Sequence, residues 1–102
     1  MAGRPRVLAA TPATLGSAIE QAVATIRGGG IVALPTETVY GITARLDPGG
    51  IEALLAAKAR PIEKGITLLV DSLARAGSVA LVGERARRLG ERFWPGPLTL
   101  VL

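Results

Sequence analysis

Residues Pro35–Gly41 read P-T-E-T-V-Y-G, placing three hydroxyls and one carboxylate at the end of an apolar run, Ile31-Val32-Ala33-Leu34. A strand buried between layers favours continuous Val, Ile and Leu, and each buried hydroxyl without a partner costs on the order of 1–3 kcal/mol. Two readings account for such a cluster. Thr36 and Thr38 can bond their own backbone in a polar turn, or the hydroxyls can await a ligand that supplies the missing partners. A second group that could do chemistry lies downstream, where the cations Lys58, Arg60 and Lys64 flank a turn at Pro61. Cations at the end of a helix complement its dipole, typically by 0.3–1 kcal/mol, but three around one turn also make a polyphosphate clamp.

Composition narrows the chemistry. The chain has 102 residues and contains neither cysteine nor histidine, which removes disulfides, thiolate metal sites, serine–histidine triads and the commonest zinc ligands. Twelve Lys and Arg against eight Asp and Glu give a net charge of +4. Arg greatly outnumbers Lys, which suits bidentate recognition of phosphate but also serves plain solubility. Mean hydropathy is +0.42, yet no uncharged apolar run approaches the ~20 residues of a membrane span. Met1–Pro12 lacks the charged, apolar and small-residue succession of a signal peptide, so a cytoplasmic location is expected.

The elements that must position these groups follow from spacing. Residues 1–13 read as an amino-terminal tail and 14–102 as one folded part. Thr14 or Ser17 can cap a helix whose Leu15, Ile19, Ala22, Val23 and Ile26 share one face, and Gly28-Gly29-Gly30 ends it. Ile31–Leu34 then reads as a strand covered on both faces, with the hydroxyls at its carboxyl end, where open α/β sheets bind ligands. Val39–Thr43 is a second extended segment. Asp47-Pro48-Gly49-Gly50 reads as a turn before a helix from Ile51 to about Lys58, stopped by Pro61. Ile66–Val70 is predicted as a strand, a helical turn or two as following Asp71, and Glu84 to Phe93 as a helix with Ala86, Leu89 and Phe93 inward. On its other face Glu84 and Arg88, and Arg87 and Glu91, are i,i+4 pairs, so these arginines read as a solvated ladder. Trp94-Pro95-Gly96-Pro97 breaks the helix, and Leu98–Leu102 is predicted as an apolar interior strand. Left at an edge it would expose unpaired backbone and favour self-association.

Taken in order, P-T-E-T-V-Y-G at Pro35–Gly41, K-A-R-P-I-E-K-G at Lys58–Gly65 and F-W-P-G-P-L-T at Phe93–Thr99 resemble the YrdC-like threonylcarbamoyl-AMP synthase family. The resemblance runs from about Leu15 to Leu102. Gly65 and Leu69, at positions where long-form members usually carry proline and histidine, make it most similar to the short bacterial form. It implies an α/β fold, a twisted open mixed sheet with flanking helices, truncated here because the family domain continues well past the W-P-G-P-L-T strand. The implied activity is formation of threonylcarbamoyl-AMP and pyrophosphate from L-threonine, bicarbonate or CO2, and ATP with Mg2+, for the t6A modification of tRNA.

The resemblance further implies that Thr36, Thr38 and Tyr40 form the threonine pocket and that Lys58, Arg60 and Lys64 meet ATP. It implies no covalent nucleophile and no protein-held metal, because positioning and charge neutralisation suffice. Lys58 and Arg60 should then project into the cleft that holds the hydroxyls of Thr36, Thr38 and Tyr40. Implied partners are tRNA threonylcarbamoyl-transfer proteins. The 102-residue chain alone is expected to be incomplete and inactive. A non-catalytic module binding tRNA or double-stranded RNA is the alternative, and the carbamoyl-transfer variant found in hydrogenase maturation proteins is a third, for which no accompanying acylphosphatase or zinc-finger segment is present.

Overall fold

In the computed structural model of the protein, residues 4–59, 61 and 65–102 are described. They form α1 (Leu15–Arg27), β1 (Val32–Pro35), β2 (Tyr40–Thr43), α2 (Pro48–Lys58), α3 (Leu73–Val79) and α4 (Glu84–Phe93). The α/β class is borne out, as four helices and one two-stranded antiparallel sheet of order β1-β2. The chain divides into two compact units, Met1–Leu34 with Tyr40–Pro61, and Pro35–Val39 with Ile62–Leu102.

In the first unit, α1 begins where the periodicity places it, but not by the expected cap. Thr14 occupies the cap position in helical geometry, and its hydroxyl bonds backward to the Ala9 carbonyl and accepts the Thr11 amide at 3.0 Å. Ser17 lies inside the helix, where its hydroxyl accepts from Gln21 at 3.2 Å. The carboxyl end closes as the glycines suggest. Gly29 takes a left-handed φ of 89°, its amide reaches the Ile26 carbonyl at 3.0 Å, and the Gly30 amide reaches Thr25 at 2.8 Å. These two bonds satisfy carbonyls that a helix end otherwise leaves unpaired.

The strand that follows is shifted by one residue from Ile31–Leu34 and is not covered on both faces. In β1 half-buried Val32 and Leu34 alternate with exposed Ala33 and Pro35, and β2 alternates likewise. A two-stranded ribbon has one covered face at most, so continuous apolar sequence does not suffice to bury it. Helix α2 starts three residues earlier than Ile51. Asp47 accepts the Gly50 amide at 2.7 Å as an N-cap and Pro48 supplies the first helical φ, so the segment read as a turn is a helix entry. Leu54 is the buried hydrophobic residue of this unit.

In the second unit, the residues after Asp71 form α3, capped by the Ser72 hydroxyl on the Arg75 amide at 3.1 Å. Helix α3 packs on α4, which spans the expected Glu84–Phe93. Buried Gly90 makes the close approach possible, for a Cβ there would stand 2.9 Å from Leu73 Cδ1 and 3.4 Å from Trp94 Cε3. Ala76 is the buried hydrophobic residue of this unit. After a cis Trp94–Pro95 peptide the Trp94 indole donates to the Leu98 carbonyl at 2.8 Å and fixes the start of the last segment.

Two expected strands do not form: neither Ile66–Val70 nor Leu98–Leu102 is in a sheet. Strand formation needs a neighbour to pair with, and apolar β-branched sequence alone cannot supply one. Among the described residues no helix is long and apolar enough to cross a membrane.

Candidate functional site

The connection between β1 and β2 is held by one side chain. The Thr36 hydroxyl donates to the Val39 carbonyl and lies 3.4 Å from the Thr38 amide and 3.3 Å from the Val39 amide, which it accepts. The Thr36 amide adds a fourth bond, to the Val39 carbonyl at 3.1 Å. Of the two readings of the hydroxyl cluster, the self-bonded turn therefore describes Thr36, whose oxygen is fully engaged in shaping the tip.

Thr38 differs. Its side chain is exposed, and none of the hydrogen bonds among the described residues involves its hydroxyl. Tyr40, the first residue of β2, is 77% exposed. Thr36 and Thr38 belong to the second compact unit, and Tyr40 and Lys58 to the first.

Lys58 is the last residue of α2 and is exposed there, as helix-end electrostatics favours. The turn beyond it is unusual. Ala59 adopts φ 49° and ψ 44°, the left-handed conformation that normally falls to glycine, while its amide bonds the Ala56 carbonyl at 3.2 Å. Arg60 and Lys64, the other two cations of the expected nucleotide clamp, lie outside the described residues, as does their convergence on the hydroxyls.

Sequence reasoning missed Arg45. Its guanidinium pairs through Nε with the Asp47 carboxylate and donates from Nη1 to the Arg27 carbonyl at 2.9 Å. One side chain thus ties the last turn of α1 to the cap of α2. Asp-Pro before an apolar stretch is a helix-start signal that could have revealed Asp47, whereas Arg45 carries no local signature because its partner is eighteen positions away.

The arginines of α4 are ion-paired, as the spacing predicts. Arg87 pairs with Glu84 and Glu91, and Arg88 with Glu84 at 3.3 Å. Arg87 grips Glu84 with two nitrogens, and its hydrogen bond is the leading cause that holds the Glu84 carboxyl below its ordinary value. Arg92 stands 5.5 Å from the centroid of the Phe93 ring. Among the described residues no group of three or more acidic side chains could hold a metal ion.

The described residues thus form an α/β chain in which helix-closing glycines lead into a hairpin with a polar tip, followed by a helix ending in a cation. The chain belongs to the Sua5/YciO/YrdC family, whose model, described as Telomere recombination, matches residues 24–102. Threonylcarbamoyl-AMP synthase of Pyrococcus abyssi is 44% identical over 79 residues, covering 76% of this chain and 23% of that protein. A putative threonylcarbamoyl-AMP synthase of Mycobacterium leprae is 43% identical over 86 residues, covering 82% and 39%. Threonylcarbamoyl-AMP synthase of Bacillus subtilis is 36% identical over 86 residues, covering 82% and 25%. The chain therefore spans less than half the length of these relatives. No solved structure gives a significant match to it.

Proposed function

We propose that this chain provides the threonine-binding hairpin and part of the nucleotide-binding surface of a threonylcarbamoyl-AMP synthase. The observation that carries the reading is the likeness to proteins of that name over 76–82% of the chain, a stretch that includes both the hairpin and α2. The reaction runs in two steps. The amine of L-threonine adds to CO2, derived from bicarbonate, and loses a proton to give a carbamate. A carbamate oxygen then attacks the α-phosphorus of ATP, and pyrophosphate leaves.

This chemistry requires placement and charge rather than a protein nucleophile. In the proposed roles Thr36 holds the shape of the tip, Thr38 offers its exposed hydroxyl to threonine, and Tyr40 contributes to the same substrate's recognition. Lys58, Arg60 and Lys64 neutralise the triphosphate. Mg2+ would arrive with ATP and would supply further neutralisation of the triphosphate charge. The product would pass to tRNA threonylcarbamoyl-transfer proteins in the cytoplasm. The ion pairs along α4 weigh against Arg87 and Arg88 as ligands of RNA.

The test compares Arg60→Ala with Arg88→Ala in an ATP titration of a full-length relative carrying this segment, with threonine-dependent pyrophosphate release as the second readout. Loss of a bidentate phosphate contact at Arg60 weakens ATP by about tenfold or more, and loss of an exposed helix pair at Arg88 leaves it within about twofold. Equal effects would refute the assignment. Binding of double-stranded RNA that falls steeply with salt, without any binding of ATP, would favour the RNA-module reading instead.

A further inference from the structure

Two residues of the first compact unit with proposed substrate roles stand at the ends of one bent path of chain. Tyr40 opens β2, which runs to Thr43, and Lys58 closes α2, which begins at Pro48. Arg45 lies at the bend between them and is tied to both helices of the unit. Its carbonyl accepts the Asp47 amide at 3.1 Å and lies against Gly50, the buried glycine in the first turn of α2. Its guanidinium pairs through Nε with the Asp47 carboxylate, which in turn caps α2 on the Gly50 amide. Nη1 donates to the Arg27 carbonyl, at the last residue of α1. Two glycines flank the group, for a Cβ at Gly29 would stand 3.8 Å from Cζ and one at Gly49 3.9 Å from Nη2.

We propose that Arg45 is a positioning residue that fixes the angle between β2 and α2, and through it the separation of Tyr40 from Lys58, so that it governs turnover rather than the binding of either substrate. The inference rests on the roles proposed above for those two residues.

Arginine suits the bend because its planar fork serves two acceptors in fixed directions, a carboxylate on one edge and a carbonyl on another, whereas lysine has a single nitrogen to share between them. Both members of the ion pair are partly exposed, and such pairs contribute little to stability. What the fork adds is direction. It closes a ring from the end of α1 through Arg45 to the cap of α2. Without it α2 keeps its cap on Gly50 but loses its side-chain tie to α1.

The two arms that leave the bend are long enough to magnify a small error. From Arg45 to Tyr40 five extended steps span about 16 Å, and the eleven residues of α2 span about 16 Å at helical rise. A rotation of about 4° at the bend therefore moves either end by about 1 Å, and displacement on that scale costs a two-substrate reaction up to ~100-fold, because the reacting atoms must approach to about 3–3.5 Å. Each substrate alone would still find its own contacts. Their mutual placement would be wrong.

The test uses a full-length relative carrying this segment. Dissociation constants for L-threonine and for ATP are measured separately by titration, and kcat by threonine-dependent pyrophosphate release. Arg45→Met keeps the apolar stem and removes the fork, and should lower kcat by about thirtyfold or more while each dissociation constant stays within about threefold. Helical dichroism should be kept and the unfolding midpoint should move by less than about 5 °C. Asp47→Asn retains an oxygen for the helix cap, so it folds, but loses the ion pair, and should lower kcat by about tenfold. The double variant should fall within about twofold of Arg45→Met, since both changes break one contact.

Three results would overturn the inference: turnover unchanged in Arg45→Met, weakened binding of either substrate with kcat preserved, or losses that multiply in the double variant. Arg60→Ala, run beside these, keeps the two readings apart. An ATP defect at Arg60 with normal turnover in Arg45→Met removes the positioning role alone, whereas normal ATP binding in Arg60→Ala together with normal turnover in Arg45→Met removes the nucleotide assignment and the positioning role with it.

Discussion

A side chain at position 50 would place its Cβ 2.1 Å from the Arg45 carbonyl oxygen and 3.0 Å from the Arg45 carbonyl carbon. Gly50 is buried at the entry of α2, and the group it meets is backbone, which cannot swing aside as a side chain can. The loop carrying Arg45, and with it the link to Arg27 and Asp47, therefore depends on the missing methyl.

Gly50→Ala should destabilise the chain by about 2 kcal/mol or more, in the range of overpacking at a rigid site. Gly77→Ala is the control. Nothing lies within 4 Å of its would-be Cβ, and it sits in the interior of α3, so alanine should stabilise by about 0.5–1 kcal/mol. Urea unfolding of both variants checks the pair, and a shift of the same sign in each would contradict the geometry.

The two threonines of the hairpin tip should separate stability from binding. Thr36→Val removes an oxygen that bonds Val39 and two amides, and should cost about 0.5–1.5 kcal/mol of stability. Thr38→Val removes an exposed hydroxyl and should leave stability within about 0.5 kcal/mol while weakening L-threonine binding. Thermal unfolding and a threonine titration on the same two samples decide the matter.

Ala59→Gly should stabilise the end of α2 by about 1 kcal/mol, since glycine adopts the left-handed conformation without the Cβ clash that alanine suffers. The midpoint of thermal unfolding should rise. A fall would mean that the residue does not hold this conformation in solution.

The ion pairs of α4 should make its helicity depend on acid. Glu84 is held below its ordinary value of 4.5, chiefly by the hydrogen bond from Arg87, which outweighs the opposing effect of desolvation, with that guanidinium's charge and a bond from Arg88 adding to the lowering. A depressed carboxyl contributes stability that is present above the unfolded value and lost as pH falls through the folded one. Helical dichroism should therefore decline below about pH 4.5, Glu84→Gln should flatten that part of the profile, and about 0.5 M salt should reduce its amplitude.

Local sequence determined the helices and the turns between them. The apolar spacing of α1, the glycines after it and the E-x-x-R-R-x-x-E pattern of α4 act within a few residues, so their outcome is legible without neighbours. Thr36 belongs with these, because its hydroxyl reaches only as far as Val39. What the tertiary structure alone decided involves partners distant in the chain. Arg45 is explained only by Arg27, eighteen positions before it, and Gly90 only by the Leu73 side chain that crosses it. Ile66–Val70 and Leu98–Leu102 have strand-like sequence yet form no strand, because a β-ladder takes half of its hydrogen bonds from another segment. Propensity is written in the residues themselves, but pairing is a property of what lies beside them.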